Sequence, residues 1–250
     1  MIITNPFQKG TMQTYIFHIP HASTVIPDHT NFVMNKVKKE LELLTDHAVD
    51  EMFDIDGITK VTFPYSRIFC DVERLDDDKE EMARFGRGFY YTRTDSGETL
   101  RTLDESHKRM VYERFYKAHH KKLEDAVDAK LKDHGVARII DCHSFPDKPF
   151  QSDLDKTNGR PDICLGTDDY HTPANWLAEI NNVFSEMGYS VKINTPYTGT
   201  IVPLKHYKKK KQVHSIMIEV NRKLYMDSGK VIVASVRKLN TVMKALGPFH

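Results

Sequence analysis

The sequence has few cysteines, no long apolar run and no excess of one charge, and each of these absences excludes a class of protein. Its cysteines, Cys70, Cys142 and Cys164, are odd in number and lack CxxC spacing, which predicts neither a disulfide framework nor a cysteine zinc site. No apolar run reaches the roughly 18 residues of a membrane span. Residues 1–12 lack the apolar core of a signal peptide and are expected to form a loose N-terminal arm. These features predict a protein of the cytoplasm.

The charges balance almost completely. The chain has 36 Lys and Arg residues against 35 Asp and Glu residues, a net charge of +1. A nucleic-acid surface usually has a strong basic excess, so this balance argues against one. The lysines at 208–211 have no interleaved aromatic residues and are expected to be a solvated loop tip. We therefore expect a small molecule as the partner, rather than nucleic acid or a membrane.

Short apolar segments alternate with amphipathic segments along the whole chain. Strands are predicted at 15–19, 58–63, 68–72, 136–141, 162–166, 189–193 and 213–220. Helices are predicted at 33–44, 104–133, 173–187 and 230–246, with Thr45-Asp46 as the N-cap of a further short helix. This order predicts one domain over residues 1–250. Its class is a three-layer α/β/α fold, with a mainly parallel mixed sheet and helices on both faces.

Two histidines near the ends of predicted strands are the first candidates for a metal site. His21 follows the first strand and His143 follows the strand at 136–141. Ligands of open α/β sheets bind at the carboxyl ends of strands. A catalytic zinc site needs three protein ligands and an open position for water, so a carboxylate is also required. Asp46 is the first choice and Glu73 the second. A single such histidine is more often structural, and only their joint occurrence favours a metal.

Glu219 is the candidate general base. It lies within the apolar run 213–220, where burying a carboxylate without a partner is costly. In the functional interpretation, it takes a proton from the attacking water and passes it to the leaving nitrogen. The alternative is a residue of an edge strand that points to solvent.

Three arginines and a loop histidine are candidates for substrate binding. Arg67, Arg74 and Arg222 lie at or beyond predicted strand ends, and their planar guanidinium groups suit a substrate carboxylate or a developing oxyanion. Each could instead be a surface ion-pair partner. His206 lies in a glycine-containing loop that could close over a substrate.

Two further features are less specific. The charged segment 75–103 is too long for an ordinary connection and is expected to be a lid or a binding loop. His119 and His120 lie on the long predicted helix; one of them could face the site, but exposure on the helix surface is the favoured interpretation.

These motifs, taken together, resemble those of the N-formylglutamate amidohydrolase family. In chain order they are Ile19-Pro20-His21-Ala22, Thr45-Asp46, Ser66-Arg67 with Asp71 and Arg74, His120, Asp141-Cys142-His143-Ser144, Pro161-Asp162, Leu165-Gly166-Thr167, His206-Tyr207, and Glu219 with Tyr225-Met226-Asp227. Each motif is short, but their order and number cover most of the chain. The resemblance implies a phosphorylase/hydrolase-like fold related to that of the zinc carboxypeptidases.

The resemblance also implies roles for particular residues. It implies one Zn²⁺ ion per chain, held by His21, Asp46 and His143, and a base at Glu219. Arg74 falls on the Asp-x-x-Arg pattern of the family, which implies contact with the substrate or with an intermediate.

Other positions either match the family or depart from it. Arg67 falls on the Ser-Arg pattern, with the same implied role as Arg74. Glu73 stands where these enzymes usually carry Asn, which makes it a poor ligand candidate. Arg222 replaces a residue that is commonly uncharged. The loop 76–99 also matches the family only loosely. These three departures put the substrate in question and leave the implied metal chemistry intact.

We therefore predict a zinc-dependent amidohydrolase that cleaves the amide C–N bond of an N-acyl amino acid such as N-formylglutamate. One alternative is a zinc carboxypeptidase or a deacylase that acts on another small amide or ester. Another is a metal-binding protein without catalytic activity, although the full set of His21, Asp46, His143 and Glu219 argues against it.

Overall fold

The computed structural model describes residues 12–76 and 80–246. Most of the predicted N-terminal arm, residues 1–11, lies outside the described residues. Met12–Thr14 forms a 3₁₀ turn that leads into the first strand, and the side chain of Met12 packs against the core.

The described residues form eight strands, six of which make one sheet. The strands are β1 Tyr15–Ile19, β2 Thr59–Thr62, β3 Ala137–Phe145, β4 Ile163–Gly166, β5 Val191–Ile193, β6 Val213–Asn221, β7 Met226–Asp227 and β8 Lys230–Val231. The large sheet has the order β2-β1-β3-β6-β4-β5. Neighbours from β2 to β6 are parallel, whereas β4 runs antiparallel to β6 and parallel to β5. This confirms the predicted class, a mainly parallel mixed sheet in an α/β fold.

Six α-helices accompany the sheet in the described part of the chain. They are α1 Met34–Leu44, α2 Val49–Met52, α3 Glu105–Val111, α4 Lys117–His134, α5 Ala174–Glu186 and α6 Val233–Ala245. A π-helical turn at Tyr112–Tyr116 joins α3 to α4, so the predicted long helix is continuous except for this turn. Asp104 caps α3 by accepting hydrogen bonds from the backbone N–H groups of Ser106 and His107. None of these helices is long and apolar enough to cross a membrane.

Helices cover both faces of the sheet. Successive side chains of a strand point to opposite faces, so Phe17 and Ile16 lie on different sides of β1. Phe17 belongs to a core cluster shared with α2, α5 and α6. Ile16 packs with Leu123 and Val127 of α4. The result is three layers, and the polar residues described below lie on the α4 side.

Residues 68–72 do not form the predicted strand. The carbonyl of Ser66 accepts hydrogen bonds from the N–H groups of Phe69 at 3.0 Å and Cys70 at 3.2 Å, which makes a turn. All five residues are nevertheless buried, and the apolar ones pack in a cluster with Phe63, Tyr91 and other side chains. The prediction was wrong because an apolar run that is buried throughout has no periodicity to separate a strand from a packed turn.

The predicted N-cap of α2 was also wrong. Thr45 ends α1, and the residue that precedes α2 is Ala48, in a left-handed conformation with φ 58° and no side-chain cap. The carboxylate of Asp46 contacts His143 and Arg222 instead. The carboxylate of Asp46 therefore belongs to the site and does not cap α2.

Two other segments differ from their predicted form. Strand β3 continues past residue 141, so His143 lies inside the strand and not beyond its end. Lys230–Val231 belongs to a hairpin, and α6 begins only at Val233.

The described part of the long segment 75–103 is packed. Tyr91, Leu100 and Arg101 are buried. Arg101 donates hydrogen bonds to the carbonyl of Tyr91 at 3.0 Å and to that of Phe69 at 3.2 Å. These contacts hold the buried residues of the segment against residues 68–72, and the hydroxyl of Tyr91 donates to the Oδ2 of Asp71 at 2.8 Å, whereas residues 83–85 and 96–99 are exposed.

Candidate active site

Four buried polar residues lie on three neighbouring strands in the middle of the sheet. The register places His18 of β1 beside Asp141 of β3, and His143 of β3 beside Glu219 of β6. Asp141 and His143 are two residues apart, so both side chains leave β3 on the same face. Parallel pairing therefore brings together residues that are distant in the sequence.

His21 has one ring nitrogen paired and one without a partner. Its Nε2 donates to the Oδ1 of Asp71 at 2.8 Å. Its Nδ1 is buried and has no hydrogen-bond partner among the described residues. This nitrogen lies 3.8 Å from the Oδ2 of Asp46 and 4.0 Å from the Oε2 of Glu73. A histidine that donates one N–H to a carboxylate and keeps the other nitrogen free is oriented as metal ligands usually are.

Asp71 is held in place from several sides. Arg67 donates to its Oδ2 from Nε at 3.2 Å and from Nη2 at 2.9 Å, and the hydroxyl of Tyr91 donates at 2.8 Å. Burial by itself would raise the pKa of Asp71, but Arg67, His21 and Arg74 hold it well below its usual range. Asp71 is therefore ionised and orients His21.

His143 lies between several carboxylates. Its Nδ1 donates to the Oδ2 of Asp46 at 3.1 Å. Its Nε2 is 2.9 Å from the Oε2 of Glu73 and 3.2 Å from the Oδ1 of Asp141. Burial lowers the pKa of His143, yet these carboxylates raise it well above its ordinary value. The ring is thus surrounded by negative charge.

Two carboxylates are within reach of both candidate histidine ligands. Asp46 uses Oδ2 for His143 and Oδ1 for Arg222, whose Nη2 donates at 3.0 Å. Glu73 has a buried Oε1 with no hydrogen-bond partner among the described residues. Donor atoms of His21, Glu73 and His143 all lie within 4.8 Å of one another. The structure therefore brings Glu73, the second-choice carboxylate, into the centre of the site.

A second group of donors adjoins the first and shares Glu73 with it. Donor atoms of His18, Glu73 and Asp141 also lie within 4.8 Å of one another. The Nε2 of His18 shares a hydrogen bond of 2.8 Å with the Nε2 of His119 on α4. His119 is therefore buried in the site and does not lie on the exposed surface of its helix.

Glu219 faces inward, which argues against the alternative of a solvent-facing residue. It is 8% exposed, and its Oε2 has no hydrogen-bond partner within the described residues. Burial raises the pKa of Glu219 to about 8, although the neighbouring His143 opposes this shift. Such a carboxyl group can both accept and return a proton near neutral pH.

Arg74 and Arg222, both predicted to bind substrate, differ in whether their guanidinium groups are already hydrogen-bonded to the protein. Arg74 is 31% exposed, and its Nε has no hydrogen-bond partner in the described chain; the nearest carboxylates, Asp71 and Glu80, are 3.7 and 3.8 Å away. Arg222 instead donates to the Oγ of Ser144 at 3.2 Å, the carbonyl of Leu43 at 2.6 Å and Asp46. Arg74 is therefore available to a ligand, whereas Arg222 positions Asp46.

The structure does not bring His206 to this centre. Its Nε2 donates to the Oδ1 of Asp128 at 2.8 Å. Asp128 lies about two and a half helical turns beyond His119 on α4. His206 thus attaches the 200–211 loop to the far part of that helix.

His18 and Asp141 were not predicted as site residues, and His119 was predicted only as one of two histidines that could face the site, although a signal was present for each. His18 and Asp141 interrupt apolar strands, the same feature that identified Glu219. His119 precedes Leu123 and Val127 at intervals of four, so it lies on the buried stripe of α4.

The sheet and its buried centre of histidines and carboxylates define an α/β protein with a site of hydrolytic type. The family model for N-formylglutamate amidohydrolase matches residues 13–226. The chain therefore belongs to the N-formylglutamate amidohydrolase family, which confirms the resemblance seen in its motifs.

Relatives agree with this assignment. The chain is 27% identical over 234 residues to an N-formylglutamate deformylase of Pseudomonas putida, covering 88% of this chain and 84% of the relative. Its fold matches a crystal structure of N-formylglutamate amidohydrolase from Ralstonia eutropha JMP134 with a TM-score of 0.79 and 21% identity, covering 92% of this chain and 91% of that one. A gene product of Agrobacterium tumefaciens matches with a TM-score of 0.63 and 16% identity, covering 93% and 88%. At these identities the two structures show the fold alone.

Proposed function

We propose that this protein hydrolyses the amide bond of an N-acyl amino acid, with N-formylglutamate as the first candidate and formate and glutamate as products. The observation that carries this proposal is Glu219, a buried carboxyl group beside His143 in a centre with further unpaired donors. Family membership supports amide hydrolysis. The deformylase activity named for the Pseudomonas putida relative supports a formyl substrate.

We infer that one Zn²⁺ ion binds at this centre. The donor set fits zinc because it combines two imidazoles with carboxylates, and because the buried Nδ1 of His21 has no protein partner among the described residues. His21 and His143 are the nitrogen ligands. Zinc bound there would polarise the substrate carbonyl and lower the pKa of a water molecule.

Asp46 and Glu73 have different proposed roles, since one orients a histidine and the other binds the ion. The resemblance favours Asp46 as the third ligand, but its two oxygens already contact His143 and Arg222. Glu73 forms no ion pair with an arginine or lysine among the described residues, and its Oε2 lies 2.9 Å from the Nε2 of His143 and 4.0 Å from the Nδ1 of His21, which completes the compact group of donors. We therefore assign Glu73 to the ion and assign Asp46 to the orientation of His143.

Glu219 supplies the proton transfers. It accepts a proton from the attacking water as the new C–O bond forms at the formyl carbon. It then donates that proton to the amide nitrogen as the C–N bond breaks, which releases the amino group and formic acid. The formic acid loses its own proton to the amino group, which gives formate and the ammonium form. The side chain returns to its starting state, so atoms and charge balance over one turnover.

Arg74 is the residue assigned to the substrate carboxylate. Its guanidinium is partly exposed and makes only long contacts with Asp71 and Glu80, so it can pair with a ligand. Arg67 is turned towards Asp71 and acts on the reaction through the orientation of His21.

The test is an assay of formate release from N-formylglutamate, combined with elemental analysis and with chelation. Release that stops with a chelator and returns with Zn²⁺ is the expected result. N-acetylglutamate and a small peptide serve as comparison substrates. Faster turnover of the peptide would overturn the deformylase assignment in favour of a carboxypeptidase, and activity that survives complete metal removal would overturn the role of zinc.

A further inference from the structure

We propose that the site holds a second divalent cation, bound by His18, Asp141 and Glu73, with Glu73 bridging the two ions. This inference rests on the first ion of the proposed function. It goes further because it gives a role to residues that the single-ion site does not use.

The donor atoms of this second group already converge. The Nδ1 of His18 is 2.8 Å from the Oδ1 of Asp141 and 3.4 Å from the Oε1 of Glu73. His18 and Asp141 are almost completely buried, whereas Glu73 is 17% exposed. The second group is therefore buried at His18 and Asp141, and Glu73 is its solvent-exposed member.

Other contacts orient two of the three donors. His18 uses its Nε2 for His119, which leaves Nδ1 directed at the carboxylates. Asp141 uses its Oδ2 to accept a hydrogen bond from the backbone N–H of Ile201 at 3.1 Å, which leaves Oδ1 directed at His18. Partners of this kind behind each ligand are typical of metal sites.

The two oxygens of Glu73 face different histidines. Its Oε1 faces His18, and its Oε2 lies 2.9 Å from the Nε2 of His143. A carboxylate in this position can bind one ion with each oxygen. Paired catalytic ions are typically about 3.5–4 Å apart.

Local charge also favours a second cation. The ion-pair partners of Glu73 and Asp141 in the described chain are histidines: His18, His21 and His143. The other acids of the site differ, since Asp46 pairs with Arg222 and Asp71 with Arg67. Two largely buried carboxylates without a guanidinium or ammonium partner among the described residues match the chemistry of a divalent ion bound by oxygen and imidazole.

The experiment is equilibrium dialysis of metal-free protein against Zn²⁺, followed by elemental analysis. We expect two zinc ions per chain in the wild type and one in His18→Gln, because His18 is a ligand of the second ion only. Glu73→Gln should lose the second ion and bind the first more weakly. Anomalous diffraction from zinc-loaded crystals should show two peaks in the wild type and one in His18→Gln.

A variant on the protein surface controls for zinc binding outside the site. Glu124, Asp125 and Asp128 form an acidic group on α4 that could bind zinc by itself. Asp125→Asn should therefore still bind two ions. If Asp125→Asn binds only one, or if the wild type and His18→Gln bind equal numbers, the inference is overturned. Should His18→Gln fail to fold by circular dichroism, His18→Asn and Asp141→Asn provide the same comparison.

The outcome is separable from that of the proposed function. One ion per chain with chelator-sensitive formate release would refute the second ion and keep the deformylase. Two ions without formate release would support the second ion and refute the deformylase.

Discussion

Replacing Glu219 with glutamine should abolish turnover while zinc content and fold are retained. Glutamine has the same shape but cannot carry the proton between water and the leaving nitrogen. General acid–base catalysis contributes about 100- to 10,000-fold. At 1.36 kcal/mol per tenfold, this is a loss of roughly 3–5 kcal/mol of transition-state stabilisation.

The change should cost little stability. The Oε2 of Glu219 has no hydrogen-bond partner among the described residues, so an amide at this position breaks no hydrogen bond of that atom within them. It also removes a carboxyl group whose ionisation is opposed by burial. The free energy of unfolding should therefore change by less than about 1 kcal/mol, the net value of a typical hydrogen bond.

The assay is kcat for formate release, with zinc content and the thermal midpoint measured on the same preparation. Glu40→Gln is the matched control. Glu40 is also a buried glutamate, but it lies on α1 and accepts a hydrogen bond from the backbone N–H of Asp95. Its variant should keep full activity. If Glu219→Gln keeps more than about a tenth of wild-type kcat, general-base catalysis by this residue is refuted.

The other predictions concern neighbouring parts of the site. Arg74→Ala should raise KM at least about tenfold with a smaller effect on kcat, since a charged hydrogen bond to the substrate carboxylate is lost; an unchanged KM would remove Arg74 from the binding site. Asp71→Asn should weaken zinc affinity by about 10- to 100-fold, measured by competition with a chelating dye, because it orients His21. His206→Ala should leave kcat and KM unchanged, and a large rise in KM would contradict its position away from the site, in the 200–211 loop that is attached to α4. Removing zinc from protein that is saturated at 100 times Kd should cost about 2.7 kcal/mol of stability, seen as a lower thermal midpoint by calorimetry.

The central strands could be predicted from the sequence because burial on both faces leaves long apolar runs. The runs at 136–141 and 213–220 became β3 and β6. Strand β6 ends one residue later than predicted, and β3 ends four residues later. What the sequence does not encode locally is their register. The pairing of His143 with Glu219 depends on how two distant segments align, and a shift by one residue would turn every side chain to the other face.

Glu73 illustrates a different limit. It directly follows the segment 68–72, which was predicted as a strand and is a packed turn, so its direction could not follow from strand alternation. The turn places the Oδ1 of Asp71 within hydrogen-bond distance of the Nε2 of His21. The backbone N–H of Glu73 donates to the same Oδ1 at 3.1 Å. Only this folded turn delivers the side chain of Glu73 to the two histidine groups.

The acids of the site have two different kinds of partner, and this difference supports the proposed position of the metal. Asp71 and Asp46 support histidines and are each held by an arginine, Arg67 in one case and Arg222 in the other. The Asp46–Arg222 pair joins segments separated by 176 residues, so this support exists only in the assembled fold. Glu73 contacts histidines instead, and histidines that bind a metal must give up their protons. Arginines therefore balance the outer carboxylates, Asp71 and Asp46, whereas in the proposed metal site the charge that balances Glu73 would come from the bound ion.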